Sequence, residues 1–318
     1  MRYAQASQGQ VSYGIEANAY TKEEPSDEYF GLVTEEVEFA NPNEVTPMAT
    51  GGGRRGPHLN SPDPHTYEFE VPFVVLDSNA PFEFALGDRQ TSEEDGYTEH
   101  LFTEADRLPT MTVEHQQADL DFKEWFVGTK ADLELSAEQG ESLSATMAMV
   151  AAEREFDDDV AAPTDITVPH DRSPFRFWMA GDVTLADPDD GSTVDTLATV
   201  SGINLSWENG LEAQHVGGGR DAYSVAETTA AEKYDMSITV TVTDTDLYRR
   251  AAEDQAPVDV EIPFYRPPGQ SDVTDALFIR LHECTVTSAP IPDADEGVVE
   301  SEIGLAPRDT EIEIREPN

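Results

Sequence analysis

The chain has 318 residues, with 65 acidic against 19 basic side chains and a formal net charge of -46. That length suits one large or two modest domains with real cores, and the charge repels nucleic acid and anionic lipid, which excludes both as high-affinity partners. A single cysteine, Cys284, excludes an intrachain disulfide, and no apolar run or N-terminal apolar core suggests a membrane span or a signal peptide, so the expected product is soluble and made in a cytoplasm.

Read in chain order, strand signals dominate. "TEEVEFAN" from Thr34 is a candidate strand, and it leads into the glycine-rich "ATGGGRRG" at Ala49 to Gly56. Tyr67, Phe69, Val71 and Phe73 then alternate with polar neighbours, the period-2 pattern of a strand with one buried face. "DSNAPFEFALGD" reads as a short helix capped by Asp77 or Ser78 and ended by Gly87. After it, "GDRQTSEEDGYTEHLFTEAD" reads as a polar insert, followed by strands in "TMTVEHQ", "EWFVGTKADLELSA" and "SLSATMAMVA". "EREFDDDVAAPTDITVPHDRSP" is rich in Pro and Asp and reads as a connecting arm.

The second half opens with "TVSGINLSWEN" and a second glycine triplet, "HVGGGRDA" at His215 to Ala222. "MSITVTVTD" alternates again, and "TDTDLYRRAAEDQ" is a helix capped by Asp244 or Asp246 and stopped by Pro257. Strands follow in "VDVEIPFY", "ALFIRLHECTVTSA", "GVVESEIGLAP" and "EIEIRE". The fold class is mostly β, with one short helix per half.

The halves align. Gly51 and Gly217 lie 166 positions apart, and that offset brings Val37 to Ile203, Phe39 to Leu205, Asn43 to Asn209 and Arg54 to Arg220. An offset of 167 matches Tyr67 with Tyr234, Phe69 with Met236, Val71 with Ile238 and Asp77 with Asp244. Further on, 152 matches Phe126 with Phe278 and Ser136 with Ser288, and the polar insert absorbs the difference of 15. The expected organisation is two tandem copies of a β-sandwich or β-barrel module, at residues 1–155 and 176–318, joined by an arm at 156–175.

Glycine triplets beside arginine raise the question of phosphate binding. A phosphate loop needs a following Lys-Ser/Thr, and a dinucleotide fold needs a strand–glycine–helix context. Arg54 is followed instead by "RGPHLNSPDPH" and Arg220 by "DAYSVAETT", both polar loops. The seven histidines show no paired ligand spacing; on a regular strand His282 and Cys284 would share a face, two ligands short of a zinc site. Carboxylate pairs are unavoidable in so acidic a chain, and no GxSxG elbow occurs. No enzyme, cofactor or metal is expected. Trp125, Phe126, Trp178 and Trp207 sit in strand-like segments and read as core or subunit-contact residues.

With only Lys22, Lys123, Lys130 and Lys233 and acids dispersed along its length, the composition resembles that of extreme halophiles. In molar salt the Debye length falls to about 3 Å and screens the self-repulsion. The 38 % hydrophobic content argues against a disordered acidic chain.

The chain also resembles tail tube proteins of long-tailed (siphovirus-type) phages and archaeal viruses. The carrying stretches are "SQGQVSYGIEANAY" with "FGLVTEEVEFANPNEV", "DRLPTMTVEHQ" with "FVGTKADLELSAEQGESLSATMAMVAAE", and "VSGINLSWENGLEAQHVGGGRDAYSVAETTAAEKYDMSITVTVTDTDLY". The resemblance implies a structural virion protein, made in the host cytoplasm, whose inner sheets join edge to edge into stacked rings. Two modules per chain imply a trimeric ring with pseudo-sixfold symmetry, with a hexamer as the alternative. The implied partners are other copies of the chain and other tail proteins (tape measure, tail terminator, baseplate), with viral DNA passing through without tight binding and no membrane contact. The implied inter-subunit loops are Pro42 to His65 and Asn209 to Lys233, with contacts at Gly51, Gly52, Gly53, Arg54, Arg55, Gly217, Gly218, Gly219 and Arg220. Here the glycines would let the backbone lie close to a neighbour, and the arginines would meet carboxylates across the contact. A baseplate or receptor-binding component of a haloarchaeal virus or cell is the alternative function.

Overall fold

The computed structural model describes residues 9–24, 26–35, 37–39, 45–48, 59–117, 122–157, 172–177, 182–197, 200–217, 219–228, 233–242, 249, 256–266, 274–291 and 299–318. The first half contributes β1 (Gly9–Ile15), β2 (Leu32–Val33), the hairpin β3 (Val45–Met48) and β4 (Leu59–Pro62), β5 (Tyr67–Val74) and α1 (Glu83–Leu86). It continues through β6 (Gly87–Glu94), β7 (Tyr97–Glu104), β8 (Met111–Gln117), β9 (Phe122–Glu138), β10 (Ser144–Ala151) and β11 (Glu153–Asp157). The second half contributes β12 (Val183–Ala186), β13 (Thr193–Leu197), β14 (Val200–Trp207), β15 (Leu211–Gln214), β16 (Ser224–Glu227) and β17 (Tyr234–Thr241), then β18 (Val258–Tyr265), β19 (Ala276–Ser288), β20 (Glu300–Ala306) and β21 (Asp309–Pro317).

One long antiparallel sheet runs β2–β5–β10–β9–β14–β17–β20–β19. Two flanking sheets, β1–β8–β9–β11 and β13–β12–β18–β19–β21–β7–β6, use the other ends of the same two strands, β9 and β19. Alternation on the long sheet is regular. In β5 the side chains of Tyr67, Phe69, Val71 and Phe73 are buried, and in β10 so are Ala145, Met147, Met149 and Ala151. The flanking sheets cover that face, as where Phe126 of β9 packs 4.7 Å from Phe69. A β-sandwich architecture results, and the mostly-β expectation holds.

Both shared strands bend at a bulge. Opposite Thr112 of β8, β9 places two residues, Val127 and Gly128; opposite Asp259 of β18, β19 places His282 and Glu283. Gly128 and Glu283 both have positive φ, 65° and 47°. The bulge overturns the expected pairing of His282 with Cys284 on one face. Leu281 and Cys284 both point into the core, whereas His282 stays half-exposed beside Asp259 and Glu311. Burial, then Asp259, pushes the Cys284 thiol up to about 12.

Connectivity repeats between the halves down to single hydrogen bonds. The Val75 amide donates to the Leu143 carbonyl and that of Ala152 to Val127; the Val242 amide donates to Val299 and that of Arg308 to His282. These bonds put β9 and β19 at an offset of 155 (282 against 127), three residues from the 152 read in the sequence.

Other expectations shift as well. Of "TEEVEFAN", none of the described residues Thr34, Glu35, Val37, Glu38 and Phe39 lies in a strand; only Leu32 and Val33, just before it, pair with β5. The polar insert is a hairpin, β6–β7, that adds its second strand to β21. Helix α1 forms where expected but is four residues long, and Asp77 accepts from the Asn79 amide in a preceding turn rather than capping the helix. Gly87 does end it. Of the helix expected in 243–255 only Arg249 is described, in helical conformation, and most of the arm at 156–175 lies outside the described residues. Where the chain is described again, Phe175 is buried and its carbonyl accepts from the Leu143 amide, at the β9–β10 turn.

A Cβ at Gly128 would sit 2.3 Å from Tyr20 Cδ1 on a left-handed backbone, and the Gly128 amide already donates to the buried Glu16 carboxylate. Gly128→Ala is therefore expected to cost about 1–3 kcal/mol in denaturant unfolding at molar salt, whereas Glu283→Gly, at the matching bulge, is expected to change stability by less than about 1 kcal/mol.

Candidate assembly surface

The two halves meet where β9 and β14 pair, from Glu138 opposite Gly202 to Leu133 opposite Trp207. Leu133, Leu135, Ala137, Ile203, Leu205 and Trp207 are all buried on the core side of this joint. The Trp207 indole donates to the Thr310 hydroxyl at 2.7 Å, and that hydroxyl donates to Glu104 Oε1 at 2.6 Å. Tyr234 donates to the same oxygen at 2.6 Å, and Lys233 pairs with Glu104 Oε2. One carboxylate of the first half thus holds three side chains of the second. Burial and the Glu104 contact push the Tyr234 phenol well above its ordinary range.

Asn209 fastens the start of the second glycine-rich loop to the first half. Its side-chain amide donates to the carbonyls of Ala85 and Ala131, both at 2.9 Å, and its backbone amide to Asp132 at 2.6 Å. The loop then rises through the β15–β16 hairpin and lies over the first half. Lys130 reaches Glu227 at 2.6 Å, Tyr20 exchanges hydrogen bonds with the Val225 backbone, and the Ala222 amide donates to Ala152.

Of the nine loop residues expected to make contacts, Gly51, Gly52, Gly53, Arg54, Arg55 and Gly218 lie outside the described residues. Arg220 grips the first half of its own chain, through a backbone oxygen. Its Nε and Nη2 donate to the Asp63 carbonyl at 3.0 and 2.8 Å, and the His65 amide donates to the Arg220 carbonyl at 2.8 Å. Next to it Asp221 accepts from Tyr67 at 2.7 Å and lies 3.0 Å from His65 Nδ1. Burial would raise the Asp221 carboxyl, but the Tyr67 and His65 hydrogen bonds outweigh it and hold the group below the usual carboxylate range. At Gly217 and Gly219 an added Cβ would meet nothing within 4 Å, so the chain's own packing does not demand glycine there.

The solvent side of the long sheet is acidic along its length. Register places Glu68 and Glu70 of β5, Asp132, Glu134 and Glu138 of β9, Asp235 of β17, and Glu300 and Glu302 of β20 on that side. Among the described residues of these strands the sole basic side chain facing the same way is Lys130, buried against Glu227. No group of three or more His, Cys, Asp or Glu is placed to hold a metal ion among the described residues.

Sequence reasoning did not anticipate the β7–β21 pairing that ties the halves a second time. Its signal was weak, because only His100 and Phe102 of "YTEHLFTE" are buried and most of the rest of the hairpin is polar.

Two substitutions separate the clamp from the joint. Arg220→Glu should fold, lose about 1–2 kcal/mol, and speed hydrogen exchange at the His65 amide. Asn209→Ala strands two buried carbonyls and should cost about 2–4 kcal/mol by denaturant unfolding without singling out His65.

Residues 6–306 match the family model described as phage tail tube protein. No curated protein matches the chain.

Proposed function

The chain belongs to the phage tail tube protein family, and on that premise we propose that it is the major tail tube subunit of a siphovirus-type virus of a haloarchaeon, polymerising into stacked rings that conduct the genome. The family is one of structural virion proteins that assemble with themselves and with other tail proteins. The observation that carries the finer reading is the β9–β14 joint: two halves of one chain already meet edge to edge in a continuous sheet.

That sheet has different ends, β2 at one and β19 at the other. A contact between unlike ends is head-to-tail, and such contacts close into rings when the rotation allows. The repeated connectivity supports reading the chain as two modules, at 1–155 and 176–318, so three chains supply six modules in a pseudo-sixfold ring. The acidic side of the long sheet is the surface we assign to the lumen, where like charge keeps phosphate from adhering. The open surroundings of Gly217 and Gly219 fit a loop whose close approach is to another subunit or ring. Arg54 and Arg55 would serve the same contact in the first copy.

Host assignment rests on the net charge of -46. Molar salt screens it to about 3 Å, and dilute buffer does not. Negative-stain microscopy at molar salt is expected to show rings or tubes of uniform diameter with three chains per ring, which come apart on desalting. A monomer at high protein concentration, or a particle stable in dilute buffer, would sink the ring and the halophile readings respectively.

A further inference from the structure

The β9–β14 joint is made inside the chain, and the strands that repeat its two sides stand at the two ends of the same sheet. In the second half β14 lies against β17 on one side and β9 on the other, and it is eight residues long. In the first half Leu32 and Val33 occupy the matching place against β5, which repeats β17. The run continues as far as Thr34, whose amide donates to the Pro72 carbonyl. Among the described strands β2 has no second neighbour, and pairing stops after two residues. At the opposite end β19 repeats β9. Its last residues pair with β20 as β9 pairs with β10, but no described strand takes the place of β14.

We propose that these two edges are partners. Leu32, Val33, Thr34, Glu35, Val37 and Phe39 receive the Thr285–Ile291 edge of a second copy of this chain in antiparallel pairing, and this docking extends β2 to the length of β14. The proposal rests on the tail tube reading above and names the surfaces that reading leaves open.

Backbone direction supports both sides. In an extended strand the amide and carbonyl of one residue point the same way, and alternate residues point to opposite neighbours. The Thr34 amide faces β5, so those of Val33 and Glu35 face outward. The Pro290 carbonyl accepts from the Ser301 hydroxyl of β20, so residue 290 faces inward and its missing N–H takes nothing from the outer edge. Ala289 and Ile291 carry the outward donors. The side chains agree, since Leu32, Val33 and Ile291 are 41 %, 39 % and 45 % exposed, apolar groups uncovered at both ends of one sheet. The sequence of 34–39 alternates as a strand should, yet its described residues lack the second ladder that holds β14 straight.

Hydrogen exchange on monomer and assembled rings in the same molar salt tests this. Amides of Val33, Glu35, Val37 and Phe39, the outward set, are expected to slow by about tenfold or more on assembly. Val33→Asp and Ile291→Asp change exposed side chains outside the core; each is expected to fold as a monomer and to need about tenfold more protein to assemble. Rings in which these amides exchange as in the monomer, or which form at wild-type concentration in both variants, overturn the edge assignment and leave the tube reading standing. A wild-type chain that never assembles overturns both.

Discussion

A β-sheet cannot end without leaving a row of backbone donors and acceptors at its last strand, and this molecule is organised around that constraint. Between its halves the row is satisfied by pairing β9 with β14, which makes one sheet out of two and buries Trp207 and Leu135 behind the joint. The other contacts between the halves depend on it. Glu104 can reach Tyr234 and Thr310, and Asn209 can reach Ala85 and Ala131, only because the two sheets already share a register. The β6–β7 hairpin closes the same junction on the flanking sheet by covering β21.

Charge works against this architecture and also serves it. Eight carboxylates on one side of the long sheet repel each other, and among the described residues of its strands no basic side chain faces them in the open. Concentrated salt removes that cost, while the sign of the surface still disfavours adhesion of phosphate. By contrast, Glu16 and Glu124, buried inside the molecule, are matched. Glu16 accepts from Thr110, Thr112, Tyr20 and Gly128, and Glu124 is paired with His115 and Arg154.

Much of the fold was legible because a sheet with one buried face writes a period of two into the chain. Tyr67 to Phe73, Met236 to Val240 and Val258 to Tyr265 all lie in strands that the alternation located. Legibility failed where a residue's role depends on a neighbour remote in sequence. Glu35, Val37, Glu38 and Phe39 belong to an alternating stretch yet lie in no strand, and "YTEHLFTE" looks like solvent-exposed insert until β21 is beside it. The bulge at Glu283 is invisible too, since nothing in "LHECT" announces a left-handed residue.

By itself, then, the sequence determined the β class and the family resemblance. Each follows from local residue types and their spacing. Only the tertiary structure decided the offset of 155 between β9 and β19, the partner of Arg220 and the way the halves join. Sheet register and edge pairing are set by backbone groups, which every residue but proline carries alike, so which strands lie side by side is settled by the packing that brings them together.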